Sequence, residues 1–165
     1  MDSKITGTVF LGTGSNEGNR KDNLEKALEM IRARSGKILT SSSLYETEPW
    51  GFEADTPFLN MVVKIETRLD PVDLLENLLS IERSIGRKRE SKGYSSHIID
   101  IDILFYDNLI LESQNLHIPH PLLHKRFFVL VPLAEIAPDL IHPVYNKTIL
   151  SLLSSCTDTS KVIKL

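Results

Sequence analysis

Apolar and polar residues alternate along this chain in two periods, one typical of strands and one typical of helices. Residues 8–11, 38–45 and 58–67 are rich in β-branched and aromatic side chains, which predicts three strands. Apolar residues at helical spacing over 24–31 predict a helix after the first strand. Between that strand and the helix, residues 12–20 contain three glycines and are predicted to form a tight, exposed loop.

A second helix is predicted to begin at Asp70, a residue type that caps helices well, and to end at Gly86. The run 98–106 that follows predicts a buried strand, and residues 127–136 predict a later helix. Up to residue 106 the order is strand, helix, strand, strand, helix, strand. This order predicts an α+β fold, a ferredoxin-like sandwich with helices packed on an antiparallel sheet, extended by a C-terminal helical segment.

The predicted strand 98–106 carries two carboxylates, Asp100 and Asp102, among apolar side chains. Alternate residues of a strand point to the same face, so the two charges lie side by side. Buried like charges are unfavourable unless a cation offsets them. Oxygen ligands without a nearby soft ligand favour Mg²⁺, which commonly keeps open positions for phosphate oxygens. The alternative is a surface strand whose acidic face is solvated.

A basic segment precedes this strand, although the net charge of the chain is −3. Residues 86–97 contain four basic side chains and one acidic side chain. These are Arg87, Lys88, Arg89, Lys92 and Glu90. Phosphoryl transfer needs such positive groups beside a metal, because together they offset the charge of a polyphosphate. A solvated run of surface charges is the alternative interpretation.

Aromatic side chains lie in the loop before the strand 58–67. Trp50 and Phe52 are near the middle of residues 46–57, and rings at a loop tip are unfavourable unless they pack on something. They either cover the core of the domain or hold a flat heteroaromatic ligand, with Asn60 as a polar contact. The residues alone do not choose between the two.

Three histidines, His117, His120 and His124, fall within eight residues. The prolines on either side of His120 exclude the single helix that would align the three rings, so a zinc site is not favoured. His120 is better suited to presenting one ring nitrogen to a phosphate, with Arg126 as a second donor.

The composition limits the class of protein. Its 165 residues, 41% of them hydrophobic, predict one domain over residues 1–165. No apolar stretch approaches the roughly 18 residues of a membrane span, and the amino terminus lacks a signal-peptide pattern, which predicts a cytoplasmic protein. Cys156 is the single cysteine, which suits a reducing compartment. The acidic balance, with a pI near 5.9, argues against a general nucleic-acid binder.

Seven short motifs occur in order along nearly the whole chain. They are Gly14-Ser15-Asn16, Tyr45-Glu46-Thr47-x-Pro49, Phe58-Leu59-Asn60, Gly86-Arg87-x-Arg89, Asp100-Ile101-Asp102-Ile103-Leu104, Pro119-His120 and Pro132-Leu133-x-Glu135-Ile136-Ala137-Pro138. Together they resemble the hydroxymethyldihydropterin pyrophosphokinases of folate biosynthesis. The resemblance implies transfer of pyrophosphate from ATP, the co-substrate, to 6-hydroxymethyl-7,8-dihydropterin, with AMP and the pterin diphosphate as products.

The resemblance also implies roles for particular residues. Asp100 and Asp102 would hold two Mg²⁺ ions, and Arg87 and Arg89 would close over the phosphates during catalysis. The residues implied for pterin binding are Thr47, Trp50, Phe58, Asn60, Tyr94 and Phe128. The residues implied for ATP binding are Glu82, Arg87, Arg89, His97, Ile103, His120 and Arg126.

The chain departs from the family pattern just before the acidic strand. Where the family commonly has Trp-Gly-Pro-Arg, residues 94–97 are Tyr-Ser-Ser-His. Tyr94 can still cover the pterin, but His97 is a weaker and pH-dependent phosphate partner than arginine. We expect His97 to contribute less than an arginine would, with Lys92 or Lys125 compensating.

Two other functions are alternatives to pyrophosphate transfer. A magnesium-dependent nucleotidyltransferase also combines a Gly-Ser element with Asp-x-Asp, but there the two lie closer in sequence than Ser15 and Asp100 do here. A non-catalytic ferredoxin-like RNA-binding domain would carry exposed aromatics on a basic sheet, whereas this strand carries paired acids. We expect small-molecule partners, no nucleic-acid or membrane partner, and a monomer or weak dimer.

Overall fold

The structure is a computed structural model that describes residues 5–87 and 97–165. In these residues the strands are β1 (Gly7–Ser15), β2 (Lys37–Ser41), β3 (Tyr45–Thr47), β4 (Phe58–Thr67), β5 (Asp100–Tyr106), β6 (Leu111–Glu112), β7 (His117–Ile118) and β8 (Val162–Lys164). The helices are α1 (Arg20–Arg34), α2 (Pro71–Ile85), α3 (Phe127–Ile136) and α4 (Ile149–Ser155). Strands β6 and β7 form a separate pair, and the other six strands form one sheet.

The main sheet has its two longest strands in the middle. Strands β1 and β4 pair antiparallel, from Gly7 opposite Thr67 to Ser15 opposite Leu59, and β5 pairs antiparallel with the other side of β1. Strands β2 and β3 both pair with β4, and β8 pairs with the outer side of β3. The predicted α+β fold, an antiparallel sheet with helices packed on it, is confirmed.

The second helix begins and ends at the residues that the sequence predicts. The side chain of Asp70 accepts a hydrogen bond from Asp73 N at 2.8 Å, which satisfies one of the free N–H groups of the first turn of α2. Gly86 ends the helix with φ of +117°, a conformation that side-chain-bearing residues rarely adopt. In the part of the chain that the structure describes, no helix combines the length and apolar character that crossing a membrane requires.

Helices cover both faces of the sheet. One face packs on α1 and α2, and its buried side chains include Val9, Leu11, Val63, Ile65, Ile101 and Ile103. The other face packs on α3 and α4, and its buried side chains include Phe10, Val62, Leu104, Leu130, Leu133 and Ile149. The C-terminal helical segment therefore completes the core, because it buries the face of the sheet that α1 and α2 leave uncovered.

The first strand is longer than predicted. Residues 12–15 lie in β1 and do not belong to an exposed glycine loop, and Ser15 is fully buried. Because they pair with β4 on one side and mostly with β5 on the other, long-range hydrogen bonds override their glycine content. The strand predicted from residue 98 begins at Asp100.

The second predicted strand, residues 38–45, is two strands. It is interrupted after Ser41, where the hydroxyl of Ser42 accepts a hydrogen bond from Val62 N at 2.9 Å. The serine hydroxyl replaces a backbone carbonyl as the acceptor for Val62 N, so the backbone hydrogen bonds between the two strands can be interrupted here. Both parts, β2 and β3, still pair with the same neighbour, β4.

Candidate active site

An open cavity of about 250 Å³ lies where the start of α3 faces β1, β4 and β5. Its ionisable lining residues include Arg87, His97, Asp100, Asp102, His120 and Arg126. Its aromatic and uncharged polar lining residues include Thr47, Trp50, Phe52, Phe58, Asn60 and Phe128. One cavity therefore combines groups suited to phosphate with groups suited to a flat ring.

The two carboxylates of β5 lie together in this cavity, as expected for alternate residues of a strand. Arg87 Nη1 donates to Asp100 Oδ1 at 2.6 Å and to Glu82 Oε2 at 3.0 Å. The second oxygen of Glu82 accepts a hydrogen bond from Ile101 N at 2.9 Å. Glu82 is only 2% exposed, so it joins the end of α2 to β5 from behind the cavity and holds Arg87 against Asp100.

The two carboxyl groups have opposite pKa shifts. Burial tends to raise the pKa of Asp100, but the positive charges of His97 and Arg87 outweigh it, and the pKa lies below its usual range. Burial, followed by the charge of Asp100, raises the pKa of Asp102 well above its usual range. The hydrogen bond between the two carboxyl groups acts in the same directions, because it lowers the pKa of Asp100 and raises the pKa of Asp102.

Asn60 is held in the cavity wall by neighbours on two strands. Its Nδ2 donates to Thr47 Oγ1 at 2.5 Å, and 7% of the residue is exposed. Asn60 lies opposite Gly14 in the β1–β4 pair, and a Cβ at Gly14 would clash with Asn60 Oδ1. The absence of a side chain at Gly14 therefore leaves the space that Asn60 occupies.

Arg126, the residue before α3, lies over two aromatic rings. Its guanidinium carbon is 4.7 Å from the centre of the Trp50 ring and 5.4 Å from the centre of the Phe128 ring. The residue is 7% exposed. A guanidinium stacked in this way is attracted by the ring faces and also limits their rotation.

Phe58 contacts two further rings of the lining. Its ring centre is 6.0 Å from that of Phe52 in an edge-to-face arrangement and 5.1 Å from that of His97. The aromatic loop that contains Trp50 and Phe52 therefore packs on residues of the cavity. The sequence left open whether these rings cover the core of the domain or hold a flat heteroaromatic ligand. Their position in the lining of the cavity favours ligand binding.

His120 presents one ring nitrogen as a donor. Its Nδ1 accepts a hydrogen bond from Leu122 N at 3.2 Å. Burial, and then the charge of Arg126, lower the pKa of His120 to about 4. The ring is therefore neutral at pH 7, and because Nδ1 is an acceptor, the ring proton lies on Nε2.

The family model for 7,8-dihydro-6-hydroxymethylpterin-pyrophosphokinase (HPPK) matches residues 10–138. This chain belongs to the HPPK family. A 2-amino-4-hydroxy-6-hydroxymethyldihydropteridine pyrophosphokinase of Porphyromonas gingivalis is 47% identical over 138 residues, which cover 82% of this chain and 93% of that protein. The protein of the same name from Aquifex aeolicus is 43% identical over 140 residues, which cover 85% of this chain and 86% of that one.

A solved structure shows the same fold in a longer protein. Wild-type Plasmodium falciparum HPPK-DHPS with pteroate aligns with a TM-score of 0.77 at 20% identity, covering 91% of this chain. This chain spans 44% of the length of that one. Membership of the HPPK family does not favour the nucleotidyltransferase alternative or the RNA-binding alternative.

The predicted site residues of this HPPK-family chain can be located except for those in residues 88–96. Among the described residues, all the predicted ones line the cavity except Glu82 and Ile103. Glu82 lies behind Arg87, and Ile103 packs in the core under α1 and α2. Arg89 and Tyr94 lie outside the described residues, as does Lys92.

Three lining residues were not among the predicted site residues. They are Gly14, Glu48 and Phe52. Phe52 had a signal in the sequence, because it shares an exposed aromatic loop with Trp50. Gly14 belongs to the first of the seven motifs but had no role assigned to it, and Glu48 had no signal of its own, because its position depends on a hydrogen bond to the distant Lys161.

Proposed function

We propose that this chain transfers the pyrophosphoryl group of ATP to the hydroxymethyl oxygen of 6-hydroxymethyl-7,8-dihydropterin, giving AMP and the pterin diphosphate in folate biosynthesis. Membership of the HPPK family supports this reaction. The observation that carries the proposal is that a single cavity joins paired carboxylates and an arginine to a set of aromatic rings. Phosphoryl transfer depends mostly on positioning and on neutralising charge, and these groups can do both.

Asp100 and Asp102 are the residues that would hold the two Mg²⁺ ions of this proposal. The raised pKa of Asp102 supports the fit, because it reflects two acidic groups close together in a buried setting. Carboxylate oxygens are ligands that Mg²⁺ prefers, and no soft ligand lines the cavity among the described residues. Bound Mg²⁺ would offset the charge of the triphosphate and polarise its phosphorus–oxygen bonds.

Phosphate groups would meet three donors of the described residues. Arg87 would offset negative charge on the transferred group from its place beside Asp100. His120 would donate through the neutral Nε2–H, and Arg126 would add positive charge next to the aromatic rings. In this proposal Arg89 closes over the phosphates with Arg87, and His97 contributes less than an arginine would.

The pterin would bind between aromatic rings. In this proposal Phe58 and Phe128 enclose the ring system, with Thr47, Trp50 and Tyr94 framing it. Each face-on contact of this kind is typically worth about 1–3 kcal/mol. The amide of Asn60, fixed by Thr47, would hydrogen-bond the polar edge of the pterin and select its orientation.

Product analysis tests the reaction. Incubating the protein with ATP, Mg²⁺ and the pterin alcohol should yield AMP and the pterin diphosphate without free pyrophosphate, while ADP or the absence of turnover would contradict the proposal. Asp100→Ala and Asp102→Ala should each abolish transfer and keep the far-ultraviolet circular dichroism of the wild type. A near-normal rate in either variant would contradict the metal role of that residue.

We also infer a cytoplasmic monomer or weak dimer that has small molecules as its only partners. Its net charge of −3 and the acidic pair on the sheet support the absence of a nucleic-acid partner. Sedimentation at several protein concentrations should show a species of 18.6 kDa, or one that shifts with concentration towards twice that mass. A stable larger assembly would contradict the inference.

A further inference from the structure

Helix α3 begins beside the cavity without a cap from its own sequence. Its N-cap residue, Arg126, makes no side-chain hydrogen bond to the helix, and its first turn contains no acid. The guanidinium of Arg126 instead lies 4.7 Å from the centre of the Trp50 ring. Backbone N–H groups of a first helical turn need acceptors from elsewhere. For α3, such an acceptor comes from a distant part of the chain.

That acceptor is Asp158, near the C-terminus. Its Oδ2 accepts a hydrogen bond from Phe127 N at 2.9 Å, across 31 residues of sequence. Its Oδ1 accepts hydrogen bonds from Ser160 N at 2.8 Å and Ser160 Oγ at 2.5 Å, which fix the carboxylate in place. Although burial tends to raise the pKa of Asp158, these hydrogen bonds lower it, so the group is charged at neutral pH. A carboxylate at this end also interacts favourably with the helix dipole.

The segment that follows Asp158 also contacts the part of the cavity wall that β3 forms. Strand β8 pairs with β3, where Val162 lies opposite Thr47. Glu48 N donates to Lys161 O at 3.3 Å. Thr47 and Glu48 both line the cavity. The same short segment therefore contacts the wall that carries Thr47 and the start of the helix that carries Phe128.

We propose that Asp158 is a positioning residue for the pterin part of the site, which it sets by fixing the start of α3 and hence the places of Arg126 and Phe128 against Trp50. Asp158 is not among the residues that line the cavity, so it acts through Phe127 N. It also lies beyond residues 10–138, the stretch that the family model matches. This inference rests on the proposed function, because the ligand it concerns is the pterin.

Trp50 provides a direct measurement, because it is the only tryptophan of the chain. Without any ligand, Asp158→Ala should change the emission of Trp50 and its quenching by acrylamide, since Arg126 would no longer be held over the ring. With substrates, the KM for the pterin should rise roughly tenfold, the order of a lost helix cap, while kcat changes less. Asp158→Asn keeps an oxygen acceptor, so its Trp50 emission and its KM for the pterin should both stay close to the wild-type values.

Asp139→Ala is the matched control, since Asp139 is an exposed acid shortly after α3. It should leave the Trp50 emission and the pterin KM unchanged. Wild-type emission together with a wild-type pterin KM in Asp158→Ala would overturn the inference. So would equal losses in Asp158→Asn and Asp158→Ala.

The pterin KM of Ser160→Ala and AMP formation by the wild-type protein are two further measurements. If Asp158→Ala does not fold, Ser160→Ala removes only the hydroxyl that orients the carboxylate, and it should raise the pterin KM in the same direction by a smaller factor. An unchanged KM in Ser160→Ala would then overturn the inference. If the proposed function itself is wrong, the wild-type protein forms no AMP. This result is distinct from any difference between the variants and the wild type.

Discussion

At the scale of single residues, Gly14 shows how a missing side chain supports the site. Gly14→Ala places a methyl group against Asn60 Oδ1 and should move the amide away from Thr47. We expect the KM for the pterin to rise roughly 10- to 100-fold, the value of one or two polar contacts, with a smaller change in kcat. Steady-state kinetics with varied pterin measures this.

Gly12→Ala is the control for that substitution. Gly12 lies two residues earlier on the same face of β1, and a Cβ there would meet Leu104 at 3.4 Å, an ordinary contact. Its pterin KM should stay near the wild-type value. If both variants raise the KM equally, the effect comes from strand β1 in general and not from Asn60.

Arg87 is the second residue with a sharp expected effect. Because it neutralises charge beside Asp100, Arg87→Ala should lower kcat by roughly 10³-fold or more, as arginines in comparable positions do, and change the KM for ATP much less. Arg83→Ala is the control, since Arg83 is an exposed arginine in the last turn of α2. A loss in Arg87→Ala that falls mainly on the KM would contradict this role.

At the scale of elements, Glu82 connects α2 to β5. Glu82→Gln keeps the shape of the side chain but removes the charge that pairs with Arg87, in a residue that is 2% exposed. We expect the free energy of unfolding to fall by about 1–3 kcal/mol, since a buried charged hydrogen bond is lost. Urea denaturation of this variant measures the change.

Glu76→Gln gives the comparison for that loss, because Glu76 is an exposed acid on the same helix. It should unfold within about 0.5 kcal/mol of the wild type. We also expect Glu82→Gln to lower turnover, because Arg87 would be held less firmly against Asp100. A Glu82→Gln variant with wild-type stability and turnover would show that the link is unimportant.

Element boundaries show what local sequence signals can and cannot predict. Helix α2 has a capping aspartate, a proline and a terminal glycine of its own, and its bounds follow from them. The strands β2 and β3 were predicted as one strand, because the hydrogen bond from Val62 N that interrupts them at Ser42 comes from a distant strand. Similarly, residues 12–15 look like a loop by composition and become a strand only through pairing.

At the scale of the whole molecule, the second face of the sheet predicts how stability depends on pH. His142 is 3% exposed and lies near Phe105, Tyr145 and His124. Burial, and then the charge of His124, lower the pKa of His142 to about 4, compared with 6.5 when unfolded. The unfolded chain therefore takes up this proton first as the pH falls, and stability is lost between about pH 6.5 and 4.

His142→Asn should remove this part of the acid sensitivity, because an asparagine Oδ1 can accept the hydrogen bonds that Val144 N and Tyr145 N donate to His142 Nδ1. Between pH 7.5 and pH 5, the wild type should lose about 2 kcal/mol more stability than the variant. His117→Asn changes an exposed histidine and is the control. Equal slopes for the wild type and His142→Asn would contradict the prediction.

The sequence alone determined what depends on neighbours along the chain: the periods of strands and helices, the caps of α2, and the placement of Asp100 and Asp102 on one face of a strand. It also determined the family, because seven motifs keep their order and spacing. The tertiary structure decided what depends on distant pairs. Glu82 behind Arg87, Gly14 beside Asn60, Arg126 over Trp50 and Asp158 at the start of α3 each join segments far apart in sequence. No local pattern encodes such a contact, because it exists only after the sheet has paired and the C-terminal segment has packed on it.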